Sequence, residues 1–399
     1  MAHTSSHEIR NPGPVAVPGG VQIFFVILAL IGVVTFALSV GSDPKSAWSS
    51  LVMNHFYFMS LALGGLFFAA IQWATNAMWS APVRRISEAF TAYLPVVAIS
   101  FIVLALGADK IYHWTDHAHV AHDPVLSGKA GYLNMTFFVI RNLIAVALWV
   151  LFARSMVGNS VQQDRTKTAT ETLRNRRLAP AFILVFAVTF TMASFDQLMS
   201  LDPHWFSTMF GVYMFAGLFY SNLAATCLLT LLIKRTGKLD GIVNENHLHD
   251  LGKFMFAFTI FWAYISFSQF MLIWYANLPE ETGYFIRRFH SGWAYVSLFL
   301  LVGKFMTPFF LLMPRDAKRR EGLLMGVAIF MLVAQWIDMM WVVQPEFFKE
   351  GPQFGLIEAG VTAGFLGLFG LAVARFLGKY NVVAIGDPRL VESVHHHHQ

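Results

Sequence analysis

The sequence has 399 residues, of which 56% are hydrophobic and only 13% are charged, and it contains 39 phenylalanines. A mean hydropathy of +0.55 excludes an ordinary soluble domain and indicates a membrane protein. We attribute the formal net charge of +5 to basic loops beside anionic lipid headgroups rather than to nucleic-acid binding. The single cysteine, Cys227, excludes an intrachain disulfide and a cysteine-ligated iron–sulfur cluster in this chain.

Ten apolar runs are long enough to cross a membrane as helices, which takes about 20 residues each. The runs must be helical because lipid satisfies no backbone hydrogen bonds, and a β-barrel would show short alternating strands instead. We therefore predict an all-α polytopic membrane protein with ten transmembrane helices, called spans 1 to 10. Their predicted bounds are 21–40, 51–78, 89–107, 131–156, 178–199, 208–234, 250–275, 288–313, 323–343 and 356–378.

The loops between these spans differ in charge. The loops after the even-numbered spans hold fourteen Lys and Arg residues, whereas the other loops hold six at most. Basic loops are retained on the cytoplasmic side of a membrane. We therefore predict that both termini are cytoplasmic.

A weak internal repeat divides the chain. Asp196 and Asp338 are each followed seven residues later by Pro, and a Gly-Tyr pair occurs one span earlier in each half, at Tyr132 and Tyr284. We infer two four-helix bundles, spans 2–5 and spans 6–9, flanked by spans 1 and 10. The predicted divisions are an N-terminal tail (1–20), the first span and outer loop (21–50), the two bundles (51–207 and 208–349), and the last span with a C-terminal tail (350–399).

Asp196 is an ionisable residue inside a predicted span, where an unpaired charge costs several kcal/mol. The topology brings it towards His55 of span 2 and Arg141 of span 4. One interpretation is a structural ion pair between Arg141 and Asp196. The alternative is a quinone or relic quinone site near the outer face, in which His55 and Asp196 receive protons or bind a polar headgroup.

The second half carries a longer track of polar side chains at helical spacing on spans 7, 8 and 9. Such a stripe could line a proton route, or it could hydrogen-bond neighbouring helices, because Ser, Thr and Gln commonly bridge membrane helices. Lys304 is the residue that favours the proton route. The residues of this candidate proton pathway are Ser266, Gln269, His290, Ser297, Lys304, Gln335 and Asp338.

Other kinds of site find less support in the sequence. The loop after span 3 is rich in His and Asp between His113 and Asp123, but the spacing matches no standard metal site, so we interpret it as solvated or as facing another subunit. A bis-histidine haem needs two facing histidines, and only His55 and His290 fall within predicted spans, one in each half. We predict no metal site, no ligated or covalent cofactor and no catalytic residue in this chain.

Two segments resemble a known family. They are SFDQLMSLDPHWFSTMFGVYMFAG, which contains Asp196, and FWAYISFSQFMLIWYANLPEETGYF, which spans Phe261 to Phe285. Both are similar to the F-type membrane subunit of bacterial alternative complex III, a quinol:electron-acceptor oxidoreductase. That protein belongs to the NrfD/polysulfide-reductase superfamily of membrane subunits.

The resemblance implies a ten-helix subunit of the bacterial inner membrane that carries no redox centre. It also implies a homologous quinol-binding membrane subunit, an iron–sulfur subunit and haem c subunits as partners, which would hold the clusters and haems. A His and an Asp line the quinol site of the sister subunit, and their nearest counterparts here are His55 and Asp196. We expect this chain to scaffold the complex and to conduct protons. The alternatives are a stand-alone proton-coupled secondary transporter and a purely structural membrane anchor.

Overall fold

The computed structural model describes residues 11–395, apart from the side chains of residues 117 and 119. It is 80% helical, and the described residues contain no β-strand. Ten of the described helices are long and apolar enough to cross a membrane, which confirms the predicted all-α polytopic membrane protein. Residues 1–10 and 396–399 of the two predicted tails lie outside the described residues. Spans 1 to 10 are Gly19–Ser42, Pro44–Ala74, Ala81–Leu106, Met135–Thr166, Thr170–Leu201, Phe210–Lys234, Glu245–Ala276, Trp293–Leu312, Glu321–Glu346 and Leu356–Lys379.

Side-chain caps in the sequence fix where several spans begin. Asp43 separates span 1 from span 2, and its carboxylate accepts a hydrogen bond from the backbone N–H of Ser46, with Pro44 at the first helical position. Asn134 caps span 4 by accepting from the backbone N–H of Phe137 at 2.9 Å. Caps of this kind satisfy N–H groups that the first helical turn leaves unpaired.

Spans 2 and 6 lie at the centre of the molecule. Their most apolar stretches are 94% and 78% buried, against 17% for span 1. Spans 2 to 5 contact one another in a closed ring, and spans 6 to 9 do the same. These neighbours fit two four-helix groups. The division into two bundles stays a prediction, because span 2 also packs directly on spans 6, 9 and 10.

Glycines allow two close helix contacts. A Cβ on Gly64 would lie 2.6 Å from the Asn222 Cβ, so spans 2 and 6 approach more closely than a side chain at Gly64 would allow. A Cβ on Gly32 of span 1 would lie 2.2 Å from the Cα of Gly364 in span 10. Small residues commonly mediate such contacts between membrane helices. Span 1 is therefore held mainly by its contact along span 10.

A buried charge network lies where spans 3 and 4 meet the chain after span 10. Arg84 pairs with Asp387, and Arg85 pairs with Glu88 at 3.0 Å and with Asp164 at 2.9 Å. The sequence suggested a loop for both arginines, but span 3 begins at residue 81 rather than 89, so they lie in its first turns. Burial is the largest influence on the Asp387 pKa and raises it, but the charge and hydrogen bond of Arg84 together with Arg389 outweigh burial and hold this pKa below its ordinary value.

We call this side of the molecule, with the loops after spans 2, 4, 6 and 8, the basic face. Other contacts join its parts: Lys234 at the end of span 6 lies 2.7 Å from Glu321 at the start of span 9. The loops on the other side, including the short helix Pro279–Phe289, form the opposite face.

Candidate functional site

A buried ion pair joins span 8 to span 9. Lys304 Nζ lies 2.5 Å from Asp338 Oδ2 and donates to Gln335 Oε1 at 2.7 Å. The two charged side chains are at most 1% exposed. Asp338 also accepts from the Tyr213 hydroxyl and from the Trp262 indole N–H at 3.2 Å. The structure thus brings together three residues of the predicted proton pathway and adds two aromatic donors.

The backbone around Lys304 is irregular. Span 8 widens into a π-helix from Leu300 to Met306, and π-helical turns are rare and frequent at functional sites. The Lys304 ammonium lies 4.0 Å from the centre of the Trp262 ring and 5.1 Å from that of Tyr220. A cation is attracted to the face of an aromatic ring. A carboxylate, an amide oxygen and two rings therefore surround the charge.

The remaining predicted pathway residues do not join this cluster. His290 is exposed and precedes span 8, which begins at Trp293, so its predicted position inside the span is wrong. The chain leaves the short helix at His290 and turns at Ser291, whose φ is +53°. Gln269 is buried, with a side-chain oxygen that has no hydrogen-bond partner between residues 11 and 395, and Ser266 is half-buried.

Ser297 belongs to a second buried cluster, at the opposite face. Its hydroxyl donates to the Arg288 carbonyl at 2.6 Å and accepts from the Trp341 indole N–H at 2.7 Å. The buried Arg288 guanidinium lies 3.5 Å from the centre of the Tyr284 ring and 3.3 Å from Glu346. Burial raises the pKa of the Tyr284 phenol to about 12, so the phenol stays neutral.

A small cavity adjoins this second cluster. It has a volume of about 10 Å³, and its lining includes Asp202, Arg288 and Tyr284. A cavity of roughly this size holds about one water molecule. The Tyr284 hydroxyl is buried and has no hydrogen-bond partner in the described part of the chain. Beyond the cavity lies Phe210, which packs against the ring of Tyr213.

In the first half of the chain, Arg141 and Asp196 form a two-point ion pair. Arg141 Nη2 lies 2.8 Å from Asp196 Oδ1, and Nε lies 3.0 Å from Oδ2. Asn142 donates to the same carboxylate at 3.0 Å. The guanidinium packs on the rings of Tyr132 and Phe137, at 3.8 and 4.0 Å from their centres. This geometry is that of the structural ion pair, one of the two interpretations that the sequence left open.

His55 does not hydrogen-bond to that ion pair directly. Its Nδ1 lies 2.7 Å from the Ser100 hydroxyl, and its side chain is 1% exposed. Gln197 lies between the two, because it donates to Asn142 at 2.8 Å and also interacts with the imidazole. The imidazole Nε2 and the Gln197 side-chain oxygen have no hydrogen bond of good geometry to any described residue. His55 is thus connected to Asp196 through two amide side chains.

The two ion pairs occupy corresponding positions but differ in chemistry. In each half, an Asp on the fourth helix pairs with a cation on the third, which is Arg141 on span 4 and Lys304 on span 8. A guanidinium does not lose its proton in proteins, whereas a buried ammonium can. The Lys304–Asp338 pair can therefore exchange a proton, whereas the Arg141–Asp196 pair is a fixed ionic contact.

The His-rich loop forms a local contact at the opposite face. His204 Nε2 lies 2.6 Å from Asp123 Oδ2, and this hydrogen bond holds the Asp123 pKa below its ordinary value. Among the side chains that the structure describes, no group of three or more His, Cys, Asp or Glu residues could hold a metal ion.

Sequence reasoning did not identify Tyr213, Tyr284 or Arg288 as site residues. Tyr213 lies in the apolar stretch FGVYMFAG, and Arg288 lies at the predicted start of span 8. One feature of the sequence could have identified the two tyrosines, because Tyr213 and Tyr284 lie within the two segments that resemble alternative complex III.

No protein-family model matches this sequence, and no curated protein does. The resemblance to alternative complex III therefore rests on the two segments quoted above. The first segment supplies Asp196 and Tyr213, and the second supplies Trp262 and Tyr284. Both segments thus contribute side chains to the buried clusters.

Proposed function

We propose that this chain is a membrane subunit, without a redox centre of its own, of a bacterial quinol-oxidising complex of the alternative complex III type. It lies in the plasma membrane with both termini in the cytoplasm. Its partners are a homologous membrane subunit with the principal quinol site, an iron–sulfur subunit and haem c subunits. The two resembling segments support this assignment, because they supply side chains to the buried polar clusters rather than only to lipid-facing surfaces.

We further propose that the chain conducts protons. The observation that carries this role is the buried Lys304–Asp338 pair, whose lysine lies in a π-helical turn of a membrane span. Ionisable groups at such depth are expensive and usually mark a pathway. Unlike the guanidinium of Arg141, the Lys304 ammonium can release its proton to a neighbouring carboxylate or hydroxyl.

The route opens towards the opposite face. Asp202 and Glu346 border the small cavity, and a water molecule there would meet the Tyr284 hydroxyl. Tyr213 continues the route, since its hydroxyl already contacts Asp338. On this route the Lys304 ammonium transfers a proton to the Asp338 carboxylate and becomes a neutral amine, and Asp338 passes that proton through the Tyr213 hydroxyl towards the cavity. The next proton to arrive restores the ammonium. The Arg141–Asp196 pair holds the first half together, and His55 belongs to a relic site.

Proton translocation by the intact complex in sealed membrane vesicles tests this role. Lys304→Arg keeps the ion pair but removes the releasable proton, so we expect quinol oxidation to continue with fewer protons moved per electron. Asp338→Asn should have the same effect. The matched control is Asp196→Asn, which alters the corresponding pair and should leave the ratio unchanged. An unchanged ratio in both Lys304→Arg and Asp338→Asn would refute proton conduction and favour a structural anchor.

The complex itself needs a separate test. After gentle detergent extraction, we expect the chain to migrate with subunits that carry haem c and iron–sulfur clusters. A single-chain particle that transports a solute with protons in liposomes would refute the assignment and support a secondary transporter.

A further inference from the structure

A long apolar groove separates span 10 from spans 6 and 9. Its volume is about 890 Å³. Phe58 and Leu61 of span 2 form its floor, Leu229 and Trp336 lie on the side of spans 6 and 9, and Phe369 lies on the side of span 10. Span 10 packs on spans 1 and 2, and the groove fills the remaining distance to the second helix group.

The groove runs nearly across the membrane. On span 10 its lining extends from Ala359 to Leu377, which corresponds to about 27 Å of helix at a rise of about 1.5 Å per residue. The hydrocarbon core of a bilayer is about 30 Å thick. The lining begins with Phe354 near the opposite face and reaches Thr236 at the basic face. An occupant must therefore be elongated and lie along the membrane normal.

Three polar side chains in the wall, those of Tyr57, Thr236 and Trp336, donate to other parts of the protein. The fourth, Thr362, has a buried hydroxyl with no hydrogen-bond partner among the described residues, and one hydroxyl cannot satisfy both carbonyl oxygens of a quinone. The Tyr57 hydroxyl donates to the Leu332 carbonyl at 3.0 Å, and the Trp336 indole N–H donates to Asn54 at 3.1 Å. The surface facing the groove is therefore almost entirely hydrocarbon. Alkyl chains suit such a wall better than a quinone ring, whose carbonyl oxygens need hydrogen-bond donors.

The basic end of the groove offers positive charge. There the groove adjoins a second cavity of about 530 Å³, which shares Val15, Val17 and Ala374 with it and is also lined by Arg375. Arg375 is exposed and pairs with no carboxylate among residues 11–395. Lys238 lies nearby, with its ammonium on the carbonyls of residues 12 and 14. A guanidinium at a membrane surface favours a phosphate.

We propose that an anionic phospholipid occupies this groove, with its acyl chains between span 10 and spans 6 and 9 and its phosphate on Arg375. The lipid fills the gap between the pair of spans 1 and 10 and the second helix group. This role is independent of the proposed proton conduction.

Native mass spectrometry tests whether a phospholipid is retained with its acyl chains in the groove. The protein is reconstituted into nanodiscs of equimolar phosphatidylglycerol and phosphatidylcholine and then released into mild detergent. We expect one retained phospholipid on the wild-type protein and none on Ala363→Phe, which fills the groove. Ala147→Phe, a matched change on an exposed position of span 4, should retain the lipid.

The headgroup is tested by the ratio of the two retained lipids. Arg375→Gln should lower the enrichment of phosphatidylglycerol about fivefold, the factor expected for one basic residue at a membrane surface. Arg165→Gln, which removes an exposed charge elsewhere on the basic face, should leave the ratio unchanged. The comparison of Arg375→Gln with Arg165→Gln does not use Ala363→Phe, so it tests the proposal even if that variant fails to fold.

Three results would overturn the proposal. They are lipid retention by Ala363→Phe equal to that of Ala147→Phe, an enrichment that Arg375→Gln does not alter, and recovery of a quinone or a partner helix from the groove.

Discussion

Replacing Asp338 by Asn removes the carboxylate that faces Lys304 in the membrane interior. The ammonium would keep Gln335 at 2.7 Å and the Trp262 ring at 4.0 Å, but it would lose its only ion-pair partner among the described residues. Removal of one member of a buried ion pair costs about 3–5 kcal/mol, because the other charge stays buried. We expect Asp338→Asn to lower the free energy of unfolding by about this amount.

Replacing the other member of the pair, as in Lys304→Met, should lower the free energy of unfolding by less. Asp338 would keep the Tyr213 hydroxyl and the Trp262 N–H as donors, with the Gln335 amide at 3.5 Å. The carboxylate would lose its counter-charge, but these donors would still stabilise it, so we expect a cost near the lower end of the same range, about 3 kcal/mol. The double variant Lys304→Met/Asp338→Asn should be more stable than Asp338→Asn alone, because no uncompensated charge remains in it.

Unfolding in mixed micelles of increasing denaturing detergent, followed by tryptophan fluorescence, measures these differences. The exposed Asp109→Asn is the control, with an expected change within about 0.5 kcal/mol. The reasoning fails if Lys304→Met costs as much as Asp338→Asn, or if the double variant is no more stable than Asp338→Asn.

The other predictions concern packing, pH and orientation. Gly364→Leu should separate spans 1 and 10 and cost about 1–3 kcal/mol in the same assay, whereas Gly326→Leu, which faces open space, should have little effect; equal effects would contradict this. Folding holds the Asp387 pKa below 3.8, with Arg84 as the main nearby charge. The Asp387 carboxylate therefore contributes its full stabilisation above pH 3.8, and this stabilisation is lost as the pH falls through the lower pKa of the folded state. Melting temperatures of wild type and Asp387→Asn should therefore differ at neutral pH and converge in acid. Ser127 is exposed in the loop after span 3, which the predicted orientation places outside the cell, so a cysteine there should react with an impermeant maleimide in intact cells. The native cysteine is fully buried and should not react. Reaction only after lysis would contradict the predicted orientation.

The number of spans and most of their bounds could be predicted because hydrocarbon imposes the same length and polarity on every crossing. The same constraint made Lys304 and Asp338 conspicuous, and helical spacing placed Gln335 on the same face as Asp338. The start of span 8 was less predictable. Three residues, of which Ser291 has a positive φ, separate it from the short helix before it, and nothing in the apolar pattern marks that turn.

Contacts between distant parts of the chain could not be predicted. The burial of Arg84 depends on Asp387, 303 residues later, and local sequence carries no sign of that pairing. Tyr213 became a site residue through a hydrogen bond to Asp338, 125 residues away. Hydrophobic patterning indicates which residues lie in a span, but the partner of a polar side chain depends on how the helices pack together.

The pairing of the two ends of the chain has a consequence for biosynthesis. At about 5–20 residues per second, a ribosome needs roughly 15–60 s to reach Asp387 after it has made Arg84. The interval between synthesis of Gly32 and synthesis of Gly364, which packs against it, is longer still. During that interval Arg84 can pair with Glu88 but not with Asp387, and the first helix lacks its neighbour. Loss of the chain from the last helix onwards would therefore leave both contacts unformed.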